Sequence, residues 1–212
     1  MESTRVIAVR HGETAWNVDT RIQGQLDIEL NDTGLWQARR VGKALEEEPI
    51  AAIYASDLAR ARQTAEAIAG PRGLPITTDS GLRERAFGIF EGRTFADIDA
   101  ETPDQARLWR TRDPEFAPDG GESLLTFRSR VTSTAHRIAA QHPGELVVMV
   151  AHGGVMDVLY RDATGQELQA PRTWELSNAA INRLLWTPQG FTLVGWADTR
   201  HLSDGVLDET TV

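Results

Sequence analysis

The chain has 212 residues, 41% of them hydrophobic and 25% charged, which is the balance of a folded globular protein. Lysine and arginine total 22 against 31 acidic residues, a formal charge of −9, so a broad nucleic-acid-binding face is not expected. There is no cysteine, which removes disulfides, thiol nucleophiles and cysteine-based zinc sites from consideration.

Met1 to Arg5 carries no apolar leader, and strand-like chain begins at once, so a cytoplasmic protein is expected. The apolar run Val6-Ile7-Ala8-Val9 predicts a first buried strand. Leu35, Ala38, Val41 and Leu45 then recur at helical spacing behind a cap at Asn31 or Asp32. Ile50 to Ala55 predicts a second strand, Ala59 to Ala69 a second helix, and Pro75 to Thr78 a weaker extended piece. Between about Phe90 and Gly120 the pattern breaks up around Pro103, Pro114 and Pro118, with helical spacing only near Ala106 to Arg110. This stretch is read as a cap insertion over one end of the sheet, with an idle surface connection as the alternative. Leu124, Phe127, Val131, Ala135 and Ile138 mark a third helix. Leu146 to Ala151, bounded by Pro143-Gly144 and Gly153-Gly154, is the best-defined strand and far too short to span a bilayer. Ala180 to Trp186 and Phe191 to Trp196 flank a Pro188-Gln189-Gly190 turn and predict an antiparallel hairpin. The expected fold is α/β: one domain over residues 1–212, a three-layer sandwich with a mostly parallel central sheet, helices on both faces and the small cap.

The chemistry lies at the carboxyl ends of the apolar runs. Arg10-His11-Gly12-Glu13 ends the first, Ser56-Asp57-Leu58-Ala59-Arg60 the second, and His152-Gly153-Gly154 the third. Ligands of open α/β sheets bind outside the carboxyl ends of the strands, so Arg10, His11, Arg60 and His152 should converge on one crevice. Cationic forks beside helix N-termini suit a phosphoryl group. Any one of these residues alone reads more readily as a structural histidine or a solvated arginine than as a functional group. Their joint placement carries the inference, which reaches an anion site with two histidines and stops there.

Arg10-His11-Gly12-Glu13-Thr14, with Asn17 and Gln23-Gly24 downstream, resembles the signature of the histidine phosphatase superfamily, which includes the cofactor-dependent phosphoglycerate mutases. The likeness continues through Ser56 to Ala65, Leu82 to Gly88, Gly120 to Ser123 and Val150 to Gly154, in order. The resemblance implies phosphoryl transfer through a phosphohistidine on His11, with Arg10, Arg60 and His152 holding the phosphoryl oxygens. Glu84 matches the general acid and needs a raised pKa to serve near neutral pH. Its bland alternative is an ion pair with Arg83 or Arg85. Asn17, Gln23 and Gly24 would add polar contacts to the phosphate or its neighbour. The resemblance implies neither metal nor cofactor.

His136, His142 and His201 match no catalytic element and are expected to be structural or exposed. Trp36, Trp174 and Trp196 are expected in the core, and Trp109 in the pocket. Where the mutases carry a Tyr, a Lys and an Arg pair, this chain has Phe87, Phe95 and Arg110-Thr111. A phosphatase acting on small phosphorylated substrates is therefore preferred over a phosphoglycerate mutase. A third possibility, a non-catalytic phospho-ligand-binding module, is disfavoured because His11, Arg60, Glu84 and His152 are all present. Arg107, Arg110 and Arg112 lie in the cap, where they either meet an acidic substrate or are simply solvated. A homodimer paired through a sheet edge is compatible with the pattern.

Overall fold

Residues 2–203 are described by a computed structural model. In chain order the elements are β1 (Thr4–Arg10), α1 (Ala15–Val18), α2 (Asp32–Ala44), β2 (Ile50–Ala55), α3 (Ala59–Ala69), β3 (Ile76–Thr78), α4 (Phe95–Glu101), α5 (Pro103–Arg110), α6 (Leu124–Ala140), β4 (Leu146–Ala151), α7 (Gly153–Thr164), β5 (Ile181–Thr187) and β6 (Gly190–Asp198). The strands form one mixed sheet in the order β3-β2-β4-β1-β5-β6. The first four strands in that order are parallel neighbours, and β5 and β6 close the far side as the expected antiparallel hairpin.

Strand β4 lies inside the sheet, and all six of its residues are buried. A strand covered on both faces reads as one apolar run rather than an alternation. Its Val147, Met149 and Ala151 pack with Phe127, Val131, Val155 and Leu159 from α6 and α7. Its Leu146, Val148 and Val150 pack with Val41, Ala61, Ala65 and Ile68 from α2 and α3. Period-two alternation thus sends one strand into two separate cores, and each fully buried aliphatic contributes roughly 1.5–3 kcal/mol.

Helix α2 corrects one expectation. Leu35 is 37% exposed, and the buried positions are Gly34, Ala38, Val41 and Gly42. A Cβ on Gly34 would overlap the Glu13 backbone, so the first turn of α2 sits directly on the chain leaving β1. Backbone contact there takes the place of a leucine stripe.

The segment that breaks the pattern has a small core of its own. Phe90, Ile98 and Ala106 are fully buried, with Ile22, Phe87, Trp109 and Phe116 packed around them. It holds two helices rather than one. The additional helix, α4, begins at Thr94, whose hydroxyl accepts from Asp97 N–H while the Asp97 side chain accepts in return from Thr94 N–H. Among the described residues, no helix is long and apolar enough to cross a membrane.

Candidate active site

Parallel register brings the motif residues together. Arg10 is paired with Ala151 at the ends of β1 and β4, so His11 and His152 come next, side by side. The His11 N–H donates to Ala151 O at 3.0 Å, and the two imidazoles meet edge to face with centroids 5.2 Å apart. Arg60 stands in the first turn of α3, directly after β2, and helical side chains tilt toward the N-terminus and so into the crevice. Arg60 is 1% exposed, and its guanidinium donates to Leu26 O at 2.8 Å and Gly24 O at 2.7 Å.

The tautomer of His11 is set by one contact. Its Nδ1 lies 2.6 Å from Gly12 O, and a carbonyl only accepts, so Nδ1 carries the proton and Nε2 keeps its lone pair. Burial, then Arg60 and Arg10, push the pKa of His11 well below the ordinary histidine value. His152 is depressed in the same way, first by burial and then by Arg60. Both rings are therefore neutral at pH 7. Burial also lowers Arg60, to about 10, which leaves it charged at neutral pH.

Several buried polar atoms here have no hydrogen-bond partner: Arg10 Nε, Arg60 Nε, both nitrogens of His152, and Gln23 Oε1. Buried polar groups are nearly always paired, so such a cluster marks a place built to meet a ligand. The arginines give it the charge that suits an anion. Arg10, His11, Gln23 and Arg60 border a cavity of about 190 Å³, together with Asn17, Gly24 and Glu84. Asn17 Oδ1 accepts from Thr14 N–H at 3.0 Å and so also caps α1. Gly24 turns its carbonyl to Arg60, and its φ of +52° is a left-handed conformation that suits glycine.

Glu84 is not paired with its arginine neighbours. Arg83 engages Asp57 at 2.6 and 2.7 Å, and the Arg85 guanidinium donates to the carbonyls of Glu122 and Phe116. The Glu84 carboxylate instead accepts from Gly154 N–H, at the start of α7, at 2.9 Å and from Arg85 N–H at 2.8 Å. It borders both the small cavity and a larger one of about 600 Å³. Arg10, Phe87, Trp109 and Gly153 border both as well.

The larger cavity explains residues that the sequence pattern placed elsewhere. Trp174, expected in the core, is only partly buried and lines this chamber, stacked on Tyr160 at 4.0 Å. Trp36 is also only partly buried, whereas Trp196, partly buried too, packs against the core beside α6 and α7 as expected. Of the cap arginines, Arg112 lines the chamber, whereas Arg107 and Arg110 stay outside it and Arg110 pairs with Asp99 at 3.0 Å. His136 bonds Asp162 and Trp186, and His142 bonds Tyr54 and Glu145, away from the site. Nor does His201 belong to the site: its Nε2 meets Ala179 O at 3.1 Å.

Two positioning residues carried no sequence signal. Asn178 donates to His11 O at 3.0 Å, and Arg130 of α6 grips the carbonyls of Gly81, Arg83 and Glu84. An arginine beside the apolar stripe of α6 reads as solvated until the 81–84 segment is folded against it. Arg10 Nη1 likewise bonds Leu176 O, which ties it to the loop before β5.

A "Phosphoglycerate mutase-like protein 4" from Arabidopsis thaliana is 37% identical over 96% of this chain and 89% of its own length. A "Metal-independent phosphoserine phosphatase" from the same plant is 36% identical over 95% of this chain and 84% of its own. The solved structure of Bacillus stearothermophilus YhfR superposes with a TM-score of 0.87 at 32% identity, covering 94% of this chain and 99% of that one. The profile of the histidine phosphatase superfamily, branch 1, matches residues 6–199, and the chain belongs to that family.

Proposed function

We propose that the protein is a phosphomonoesterase that hydrolyses phosphorylated metabolites through a phosphohistidine on His11. One observation carries this reading: a neutral imidazole with its tautomer fixed by Gly12 O stands among buried guanidinium and imidazole nitrogens that have no partner. In the first step His11 Nε2 attacks phosphorus, the P–O ester bond breaks, and the departing alcohol oxygen takes the proton of Glu84. In the second, water gives a proton to Glu84 and attacks phosphorus, the N–P bond breaks, and phosphate leaves with His11 restored. Arg10, Arg60 and His152 bind the non-bridging oxygens where charge develops. The N–H groups of Arg85 and Gly154 hold the Glu84 carboxyl at the edge of the cavity.

Hydrolysis is preferred to isomerisation because Phe87 and Phe95 stand where the mutases carry a Tyr and a Lys, and Arg110, at the position of their Arg pair, is engaged with Asp99. Phe87 packs on Trp109 with centroids 5.4 Å apart, between the two cavities. Phe95 is 38% exposed on the cap beneath Arg110. The phosphatase relative supports hydrolysis, and the mutase-like relative supports isomerisation as the second reading. Incubation with a labelled phosphomonoester is expected to give acid-labile, base-stable protein label that His11→Ala abolishes. Label persisting in that variant removes His11 as nucleophile. Slow phosphate release from many monoesters is expected, whereas efficient 2-phosphoglycerate formation from 3-phosphoglycerate and a trace of bisphosphate selects the mutase.

A further inference from the structure

Glu91 borders neither cavity, yet its carboxylate stands where two halves of the site meet. Its Oε1 accepts from Gln25 N–H at 3.0 Å and from Phe87 N–H at 3.0 Å. One oxygen thus joins the loop that carries Gln23 and Gly24 to the segment that carries Glu84 and Phe87. Gln25 continues the connection. Its side-chain Nε2 donates to Glu84 O at 3.1 Å, and the carbonyl just before it, Gly24 O, accepts from Arg60 at 2.7 Å. Gln25 therefore lies between the grip on the anion and the proton donor, and Glu91 holds Gln25. Gly24 leaves room for this, since a Cβ there would overlap Glu91 Oε1. The backbone is zipped on the same side: Ile22 N–H donates to Arg93 O at 2.9 Å, and Gly92 N–H donates to Ile22 O at 2.8 Å.

Hydrogen bonds from peptide N–H groups to a carboxylate are among the stronger ones, so this oxygen is a firm joint. Its charge is the lesser contribution. Burial comes first in lowering Arg60, and Glu91 is the smallest of the acidic influences that oppose it. We infer that Glu91 is a positioning residue: by holding Gln25 and Phe87 on one oxygen, it sets where Glu84 stands relative to a phosphoryl group gripped by Arg60. This rests on the phosphomonoesterase reading, in which Glu84 gives its proton to the departing alcohol oxygen.

Two substitutions of similar size, made in the full chain, separate the acceptor from the space it fills. Glu91→Gln keeps an oxygen that can accept both bonds, and Glu91→Met keeps the stem without one. Glu91→Met is expected to lower kcat/KM on an alkyl phosphate by roughly tenfold or more, and on an activated aryl phosphate much less. Glu91→Gln is expected to stay near the wild-type value on both. Inorganic phosphate should bind both variants about as tightly as the wild type, because Arg60 keeps Leu26 O and Arg10 keeps Leu176 O. Exchange of the Gln25 and Phe87 amide protons should be slow in the wild type and in Glu91→Gln, and fast in Glu91→Met. Equal losses on alkyl and aryl esters in Glu91→Met, or loss of phosphate binding, would show a general structural support and overturn the proposal. Glu91→Gln as impaired as Glu91→Met overturns it too, because an acceptor would then not suffice. A wild type that releases no phosphate from any ester overturns the phosphatase reading, and amide exchange then decides the joint: unchanged exchange in Glu91→Met removes it, and quickened exchange keeps it.

Discussion

A methyl group on Gly154 would overlap Glu84 Oε1 and crowd Phe127. The carboxylate reaches the crevice because the first turn of α7 has backbone, not side chain, facing it. Alanine suits a helix better than glycine, so Gly154→Ala should leave α7 intact and displace only the acid. General acid catalysis contributes about 10²–10⁴-fold, and a leaving group that departs without protonation needs little of it. Gly154→Ala and Glu84→Gln are therefore both expected to lower kcat on alkyl phosphates by roughly 10²-fold or more, and on an activated aryl phosphate much less. Equal losses on both substrates would show that Glu84 is not the proton donor. Full activity in Gly154→Ala would show that the carboxylate position is not set by this contact.

At the level of elements, legibility tracked local burial. The six buried residues of β4 and the stripe Leu124, Phe127, Val131, Ala135 and Ile138 of α6 show their type in any short window, because the same neighbours that bury them repeat along the element. Helix α4 buries Ile98 alone, so it has no periodicity to read, and its sign was the Thr94–Asp97 capping box. The 165–177 segment that walls the chamber is held by Arg161, which donates to Glu167 O and Ala170 O, and by Arg112, which donates to Leu168 O at 2.6 Å. Those contacts are tertiary and leave no trace in spacing. The convergence of Arg10, His11, Arg60 and His152 was legible because strand ends in parallel register must meet, whereas the larger cavity was not. Because the segment holding α4 and α5 buries a cluster separate from the two sheet cores, it should open separately from the sheet. Ile98→Ala is expected to cost about 2–5 kcal/mol locally. Hydrogen exchange should then quicken in α4 and α5 and stay slow in β1 and β4, with a raised KM. Uniform quickening across the sheet would mean that cap and core unfold as one.

For the molecule as a whole, the two depressed histidines link function to stability. His11 and His152 are neutral in the fold and free to protonate when unfolded. A group whose folded pKa is lowered contributes its full stability above its unfolded value, near 6.5 for histidine, and loses it as pH falls from there toward the folded value. Each ring can therefore remove up to about 1.4 kcal/mol of stability per pH unit below that point. Asp57 and Asp198 are held low by Arg83 and Arg200, and Glu122, which burial would raise, is brought low by Arg130 and the Ala86 N–H. These carboxylates act only at lower pH, because their ordinary values lie near 4. The interval from pH 6.5 to 5 thus isolates the histidines. Tm should be flat above pH 7 and fall by several degrees across that interval, given about 2–4 °C per kcal/mol for a chain of this size. His152→Gln cannot take up the proton and is expected to reduce the slope, whatever its own Tm, and His11→Gln combined with it should nearly abolish the slope. An unchanged slope in the double variant would show that the rings protonate freely in the fold, and the neutral nucleophile would lose its physical basis.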